Sequence, residues 1–203
     1  MRTLSSRYFL SSAISFFLTV AFIGSLVTPN SALAQTSPTP GSNFQTYDNP
    51  THKLKLQYPP DWTVSTNALA TYSGIVAFYS PLQNLQDILP AELSLSITTY
   101  LQPVSIDEYT QTTLAALEQQ GIQASESGAF TLAEKPGHRI MFSPPEPRGQ
   151  KTQDAPQVSI SIMQTWTTIG NKVYLLTYSA EDSKFQKYLP TVEQMLKSLQ
   201  IQP

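Results

Sequence analysis

His52 and His138 are the two histidines of this 203-residue chain, and with its many serines they are the first place to look for hydrolytic chemistry. A serine nucleophile needs a histidine within hydrogen-bond reach and a third group that orients the ring. The chain has no Gly-x-Ser-x-Gly elbow, and both histidines fall in strand-like segments or at their edges, so the spacing favours no triad. The expectation is a protein that is not an enzyme. For metals the sequence offers pairs: Asp48 with His52, and Glu181 with Asp182. Zinc needs several nitrogen or oxygen ligands converging, and calcium needs six or more oxygens; no EF-hand loop is present. Each pair also has a structural reading, with Asp48 and Asn49 turning the chain before Pro50 and Glu181 and Asp182 capping the last helix. No glycine-rich phosphate loop occurs. Tyr72, Tyr79, Tyr100, Trp166 and Tyr178 could line a groove, but they interleave with strand residues as core and cross-strand packing does. What remains is a polar loop over residues 143–156, whose cations Arg148 and Lys151 could steer it towards an acidic partner. Loops of this length are functional or are tolerated surface insertions, and both readings stand.

Composition narrows the classes further. The chain carries 12 Lys and Arg against 14 Asp and Glu, a formal charge of −2, with no Lys/Arg cluster. Nucleic-acid binding rests on phosphate neutralisation, so no nucleic-acid partner is expected. The absence of cysteine excludes a disulfide framework, a thiolate zinc site, a cysteine nucleophile and a lipoprotein anchor. The first 34 residues read as a signal peptide. Arg2 and Arg7 form the positive start, residues 16–27 the apolar run, and Ala32-Leu33-Ala34 the small-x-small site, with the cut placed before Gln35. An uncleaved anchor is the alternative, since the apolar run is near the lower limit for spanning a bilayer. Residues 35–43, Gln-Thr-Ser-Pro-Thr-Pro-Gly-Ser-Asn, read as a flexible tether. Residues 44–203 are then one domain with a single apolar core, of ordinary size, and are expected to be a monomer.

Period-two alternation places strands first. Leu54, Leu56 and Tyr58 alternate with Lys53, Lys55 and Gln57, and Pro59-Pro60 ends that strand. Trp62 and Val64 resume an extended segment, 75–79 is a β-rich run, and Leu93, Leu95 and Ile97 oppose a hydroxyl face of Ser94, Ser96 and Thr98. Ser105-Ile106-Asp107-Glu108 is a capping box. It opens a helix whose stripe is Ile106, Tyr109, Thr113 and Leu117, stopped by Gly121. Strands are expected at 124–133 and 137–142, with Pro136-Gly137 as the turn between them. A further hairpin runs from Val158 to Thr168 and returns over 173–178, turning at Gly170-Asn171. The closing stripe is Phe185, Leu189, Val192, Leu196 and Leu199. Pro190 predicts a break, with a short turn followed by a second helical piece over 190–199. Strands, helix, strands, helix with hairpin-length links mean α+β, an antiparallel sheet flanked by helices.

Three stretches resemble the PsbP-like family, the extrinsic proteins of the oxygen-evolving complex and their relatives. They are Phe44-x-x-Tyr47 through Leu54-Lys55-Leu56-Gln57-Tyr58-Pro59-Pro60-Asp61-Trp62, then Val173-Tyr174-Leu175-Leu176-Thr177-Tyr178-Ser179-Ala180, and Phe185 to Ile201 with its ending Met195-Leu196-Lys197-Ser198-Leu199. The resemblance implies an α/β/α sandwich of the PsbP-like type. It implies residence in the thylakoid lumen, with the periplasm as alternative. It further implies a peripheral accessory role on lumenal subunits of photosystem II, in assembly or stability of the oxygen-evolving complex, with calcium as the implied ion. The family's lipobox cysteine and basic amino-terminal segment are both missing, so the chain reads as a diverged paralogue. The alternative function is an exported periplasmic binding module of the same fold whose partner is unrelated to photosynthesis.

Overall fold

The computed structural model describes residues 43–66, 74–84, 87–144 and 158–202. The chain divides into Met1–Pro38 and Thr39–Pro203, and every described residue belongs to the second unit. The elements run β1 (Gln45–Asn49), β2 (Leu54–Tyr58), β3 (Thr63–Ser65), β4 (Gly74–Tyr79), β5 (Glu92–Thr99), α1 (Ile106–Gln119), β6 (Glu126–Leu132), β7 (Lys135–Phe142), β8 (Ile160–Ile169), β9 (Lys172–Glu181), α2 (Asp182–Ser198) and β10 (Gln200–Ile201). Seven strands form one antiparallel sheet in the order β3-β4-β5-β9-β8-β7-β6. A second, smaller sheet of β1-β2-β10 was not anticipated from periodicity, because β10 is only two residues long and pairs with β2 from the far end of the chain.

Alternation along the strands sends side chains to two cores. Ile140, Phe142, Ile162, Trp166 and Val173 meet Leu117, Ile106 and Tyr109 of α1 on one face of the large sheet. On the other face Val76, Phe78, Leu93, Leu95, Met163, Leu176 and Tyr178 pack with Leu54 and Leu56 of the small sheet and with Phe185, Val192, Met195 and Leu196 of α2. The molecule is therefore α+β, with a helix on each face. Burying each such side chain contributes roughly 1.5–3 kcal/mol. The aromatics proposed as groove-lining are divided: Trp166 and Tyr178 are fully buried core, Tyr79 and Tyr100 are half-buried, and Tyr72 lies outside the described residues. Trp62 meets Tyr188 edge to face at 5.9 Å.

Local chemistry explains the helix ends and two departures from expectation. Ser105 Oγ accepts the Glu108 N–H at 3.1 Å, which is the serine half of the expected capping box. Gly121, at φ 72°, lets its own N–H and that of Ile122 reach back to the carbonyls of Glu118 and Leu117. The closing helix does not break at Pro190: α2 is continuous from Asp182 to Ser198. Pro190 and Gln186 both lie on its exposed face, so the carbonyl that loses its N–H partner can be hydrated and the break is unnecessary. The turn between β6 and β7 is not at Pro136-Gly137. Leu132 pairs with Lys135, leaving Ala133-Glu134 as the two-residue loop, and Pro136 and Gly137 lie inside β7. Gly137 serves close packing: a Cβ there would sit 2.4 Å from the carbonyl oxygen of Trp166.

Candidate functional site

An open groove of about 830 Å³ lies where the free edge of the large sheet approaches the end of α2 and the small sheet. This is within the common range of ligand clefts, about 300–1,000 Å³. One wall is the end of β6 and its turn, with Phe130, Thr131, Ala133 and Glu134. The other is Lys197, Ser198 and Leu199 at the end of α2, then Gln200 and Ile201 of β10, with Gln57 of β2. The far wall is fixed by Ser198. Its hydroxyl accepts the Gln57 N–H at 2.8 Å and donates to the Met195 carbonyl at 2.7 Å, tying the helix end to the small sheet. That is the physical role of the serine in the Met-Leu-Lys-Ser-Leu ending. Behind the near wall, the Arg139 guanidinium lies 3.9 Å from the Phe130 ring centroid and bonds Glu193 of α2 at 2.5 Å. Its Nη2 is buried without a hydrogen-bond partner. The groove is thus braced by a cation that stacks on one wall and is anchored to the helix forming the other.

The residues singled out from sequence fall elsewhere. Arg148 and Lys151 lie outside the described residues. Asp48 pairs with Lys55 at 2.7 Å, while Asn49 Oδ1 accepts the His52 N–H at 3.0 Å and so makes the expected turn. Glu181 and Asp182 do not cap α2 with their side chains. Glu181 accepts the N–H groups of Ile88 and Leu89 at 3.1 and 2.9 Å and binds Lys184 at 3.0 Å, and Asp182 accepts from the Ser161 hydroxyl at 2.7 Å. Lys184 also bridges to Asp87 at 2.9 Å. Burial works against the charge on Asp87 and Glu181, yet Lys184 and the backbone N–H donors overcome it and hold both carboxyls below their ordinary values. The clamp fastens the segment before β5 onto α2. Among the described residues no group of three or more His, Asp or Glu side chains converges.

One arrangement was invisible in the sequence. His138 Nε2 stands 2.9 Å from Ser127 Oγ, and the imidazole lies against the Trp166 indole at 5.4 Å between centroids. Partial burial lowers the His138 pKa and the Asp107 carboxylate opposes the shift, so the ring is held as a neutral hydrogen-bonding group at pH 7. Ser127 is exposed on the edge strand, and neither residue lines the groove. Cross-strand bonding of this kind is enough to account for the pair. Neither its spacing of eleven residues nor any local motif would have marked it.

No protein-family model and no curated protein matches the chain. Solved structures do. The chain is similar to cyanobacterial PsbP (CyanoP) from Synechocystis sp. PCC 6803, with 11% identity, a TM-score of 0.53, and coverage of 83% of this chain and 99% of that one. It is similar to LpqN, involved in cell envelope biogenesis of Mycobacterium tuberculosis, at 17% identity and a TM-score of 0.54, covering 79% of this chain and 91% of that one. It is also similar to the Ran-binding protein Mog1p of Saccharomyces cerevisiae, at 8% identity and a TM-score of 0.51, over 79% of this chain and 96% of that one. At these identities the likeness is one of architecture. No helix among the described residues is long and apolar enough to cross a membrane. The described chain has the PsbP-like fold.

Proposed function

We propose that the chain is an exported accessory protein that acts by binding other proteins at the lumenal face of photosystem II, in assembly or stability of the oxygen-evolving complex. The observation that carries this reading is the likeness to cyanobacterial PsbP over 99% of that chain. The leader-like first 34 residues and the three family-like stretches support it. The braced groove supports a binding role, because it sets edge-strand backbone and mixed apolar, polar and charged side chains beside each other. The test is fractionation and co-purification of the tagged full chain. It is expected in lumenal fractions and with photosystem II complexes. Absence from those complexes, together with normal photosystem II assembly in a deletion strain, would end the reading.

A second reading, an envelope or periplasmic binding module, draws on the likeness to LpqN; recovery of the tagged chain from the periplasm would favour it. Both readings are non-catalytic. Turnover of a panel of esters or peptides that disappears in a Ser127→Ala variant would overturn them together.

A further inference from the structure

We propose that the groove receives an extended segment of a partner protein, which adds as a strand to β6 and presents a basic residue to Glu134 and an acidic one to Lys197. This deepens the binding reading above and rests on it. The first ground is the edge itself. A free strand edge is a template for pairing, and proteins blunt edges with short strands, charges or proline. The other end of the large sheet, β3, has three residues, and β10 has two. In the small sheet, β1 carries the Asp48–Lys55 ion pair. β6 is seven residues long, with Glu126 at its start as the one charge, no proline, and exposed Ser127, Gly128 and Ala129 along it. It is the long, open edge among the described residues, and its last residues form a groove wall.

The second ground is strain. Ala133 and Glu134 stand at φ 49° and 60°, the conformation that two-residue hairpins give to Asn-Gly or Gly-Gly. A side chain in this region is sterically disfavoured. Lys53, in the turn before β2, also stands at φ 54°, but the adjacent pair Ala133 and Glu134 is the one that lines the groove. The third ground is charge: among the described residues neither Glu134 nor Lys197 has an ion-pair or hydrogen-bond partner, so opposite walls hold one uncommitted charge of each sign. A lone strand suits the slot better than a second copy, whose β6 would arrive with β7 bonded behind it and meet the wall of α2 and β10. Strand addition of this kind draws affinity from main-chain bonds and specificity from alternate side chains.

The experiment selects a random twelve-residue peptide library against the full chain, then follows amide exchange with the selected peptides bound. Enriched peptides with one basic and one acidic position, slowing exchange by tenfold or more at those β6 amides that point away from β7, are the expected result. Glu134→Gly should raise the melting temperature while weakening those peptides at least tenfold, and Lys197→Gln should weaken them with the melting temperature little changed. Failure to select such peptides, unchanged exchange in β6, dimers joined through β6, or binding by either variant as tight as that of the unchanged chain would overturn the proposal. The two readings fail separately. Peptide binding at β6 without photosystem II co-purification sinks the photosystem role alone, and co-purification undiminished in both variants sinks the groove alone.

Discussion

Two two-residue turns of the large sheet solve the same problem with opposite chemistry. Between β8 and β9 the loop is Gly170-Asn171, with Gly170 at φ 61° and open space where a Cβ would go. Glycine takes that conformation at no steric cost. Between β6 and β7 the loop is Ala133-Glu134, both at positive φ and both bearing side chains. The first turn satisfies the local rule, and the second breaks it beside the groove. The difference is also one of placement: the glycine turn lies away from the groove, and the turn that keeps two side chains at positive φ lines it.

The comparison can be broken most severely at Gly137, the residue that looks like part of a turn and is not. Gly137→Ala should cost roughly 3 kcal/mol by forcing β7 away from the Trp166 carbonyl; chemical denaturation measures it, and a cost near zero would return this glycine to an ordinary strand role. Gly170→Ala should cost about 1 kcal/mol through φ alone, since no atom lies within 4 Å of the new Cβ. Glu134→Gly should do the reverse, gaining somewhat under about 1 kcal/mol, or about 2–4 °C in Tm for a chain of this size. If the two substitutions shift stability in the same direction, the contrast between the turns is wrong.

The smallest effect separates both hairpins from the clamp of Asp87, Lys184 and Glu181. Its carboxyl pKa values are depressed in the folded state, so its contribution is present above their ordinary values of 3.8 and 4.5. It is lost as pH falls through the lowered values. Lys184 is shifted up from 10.5 despite burial, chiefly by its bonds to Asp87 and Glu181, so its share is present below that value and is lost as pH rises through the raised one. Acid titration followed by amide exchange should therefore loosen Ile88 and Leu89 before either hairpin. Loosening of Ala133 first would contradict this order.

What the sequence made legible was local. The capping serine before α1, Gly121 after it, and the Gly170-Asn171 turn each act within a few residues, and each is where its type predicts. Pro136-Gly137 misled because the same dipeptide that signals a turn also fits a strand whose neighbour comes too close for a Cβ. Pro190 misled because proline breaks a helix only where its lost hydrogen bond cannot be replaced, and on α2 the proline and the residue four before it lie on the exposed face, where solvent can reach the carbonyl. The groove could not be read at all. Its walls come from residues 57, 130–134 and 197–201, brought together by the pairing of β2 with β10 and by the hydroxyl of Ser198. The loop that carried the sequence-based expectation, with Arg148 and Lys151, lies outside the described residues, and the candidate site stands on different side chains.

The most direct measurement places a photo-crosslinking residue at Thr131 on the groove wall, and separately at Glu118 on α1, in the full chain within the cells that make it. The account predicts adducts from Thr131 to one extended segment of a lumenal photosystem II subunit, and none from Glu118. Adducts from Glu118 alone, or from neither position, would contradict it.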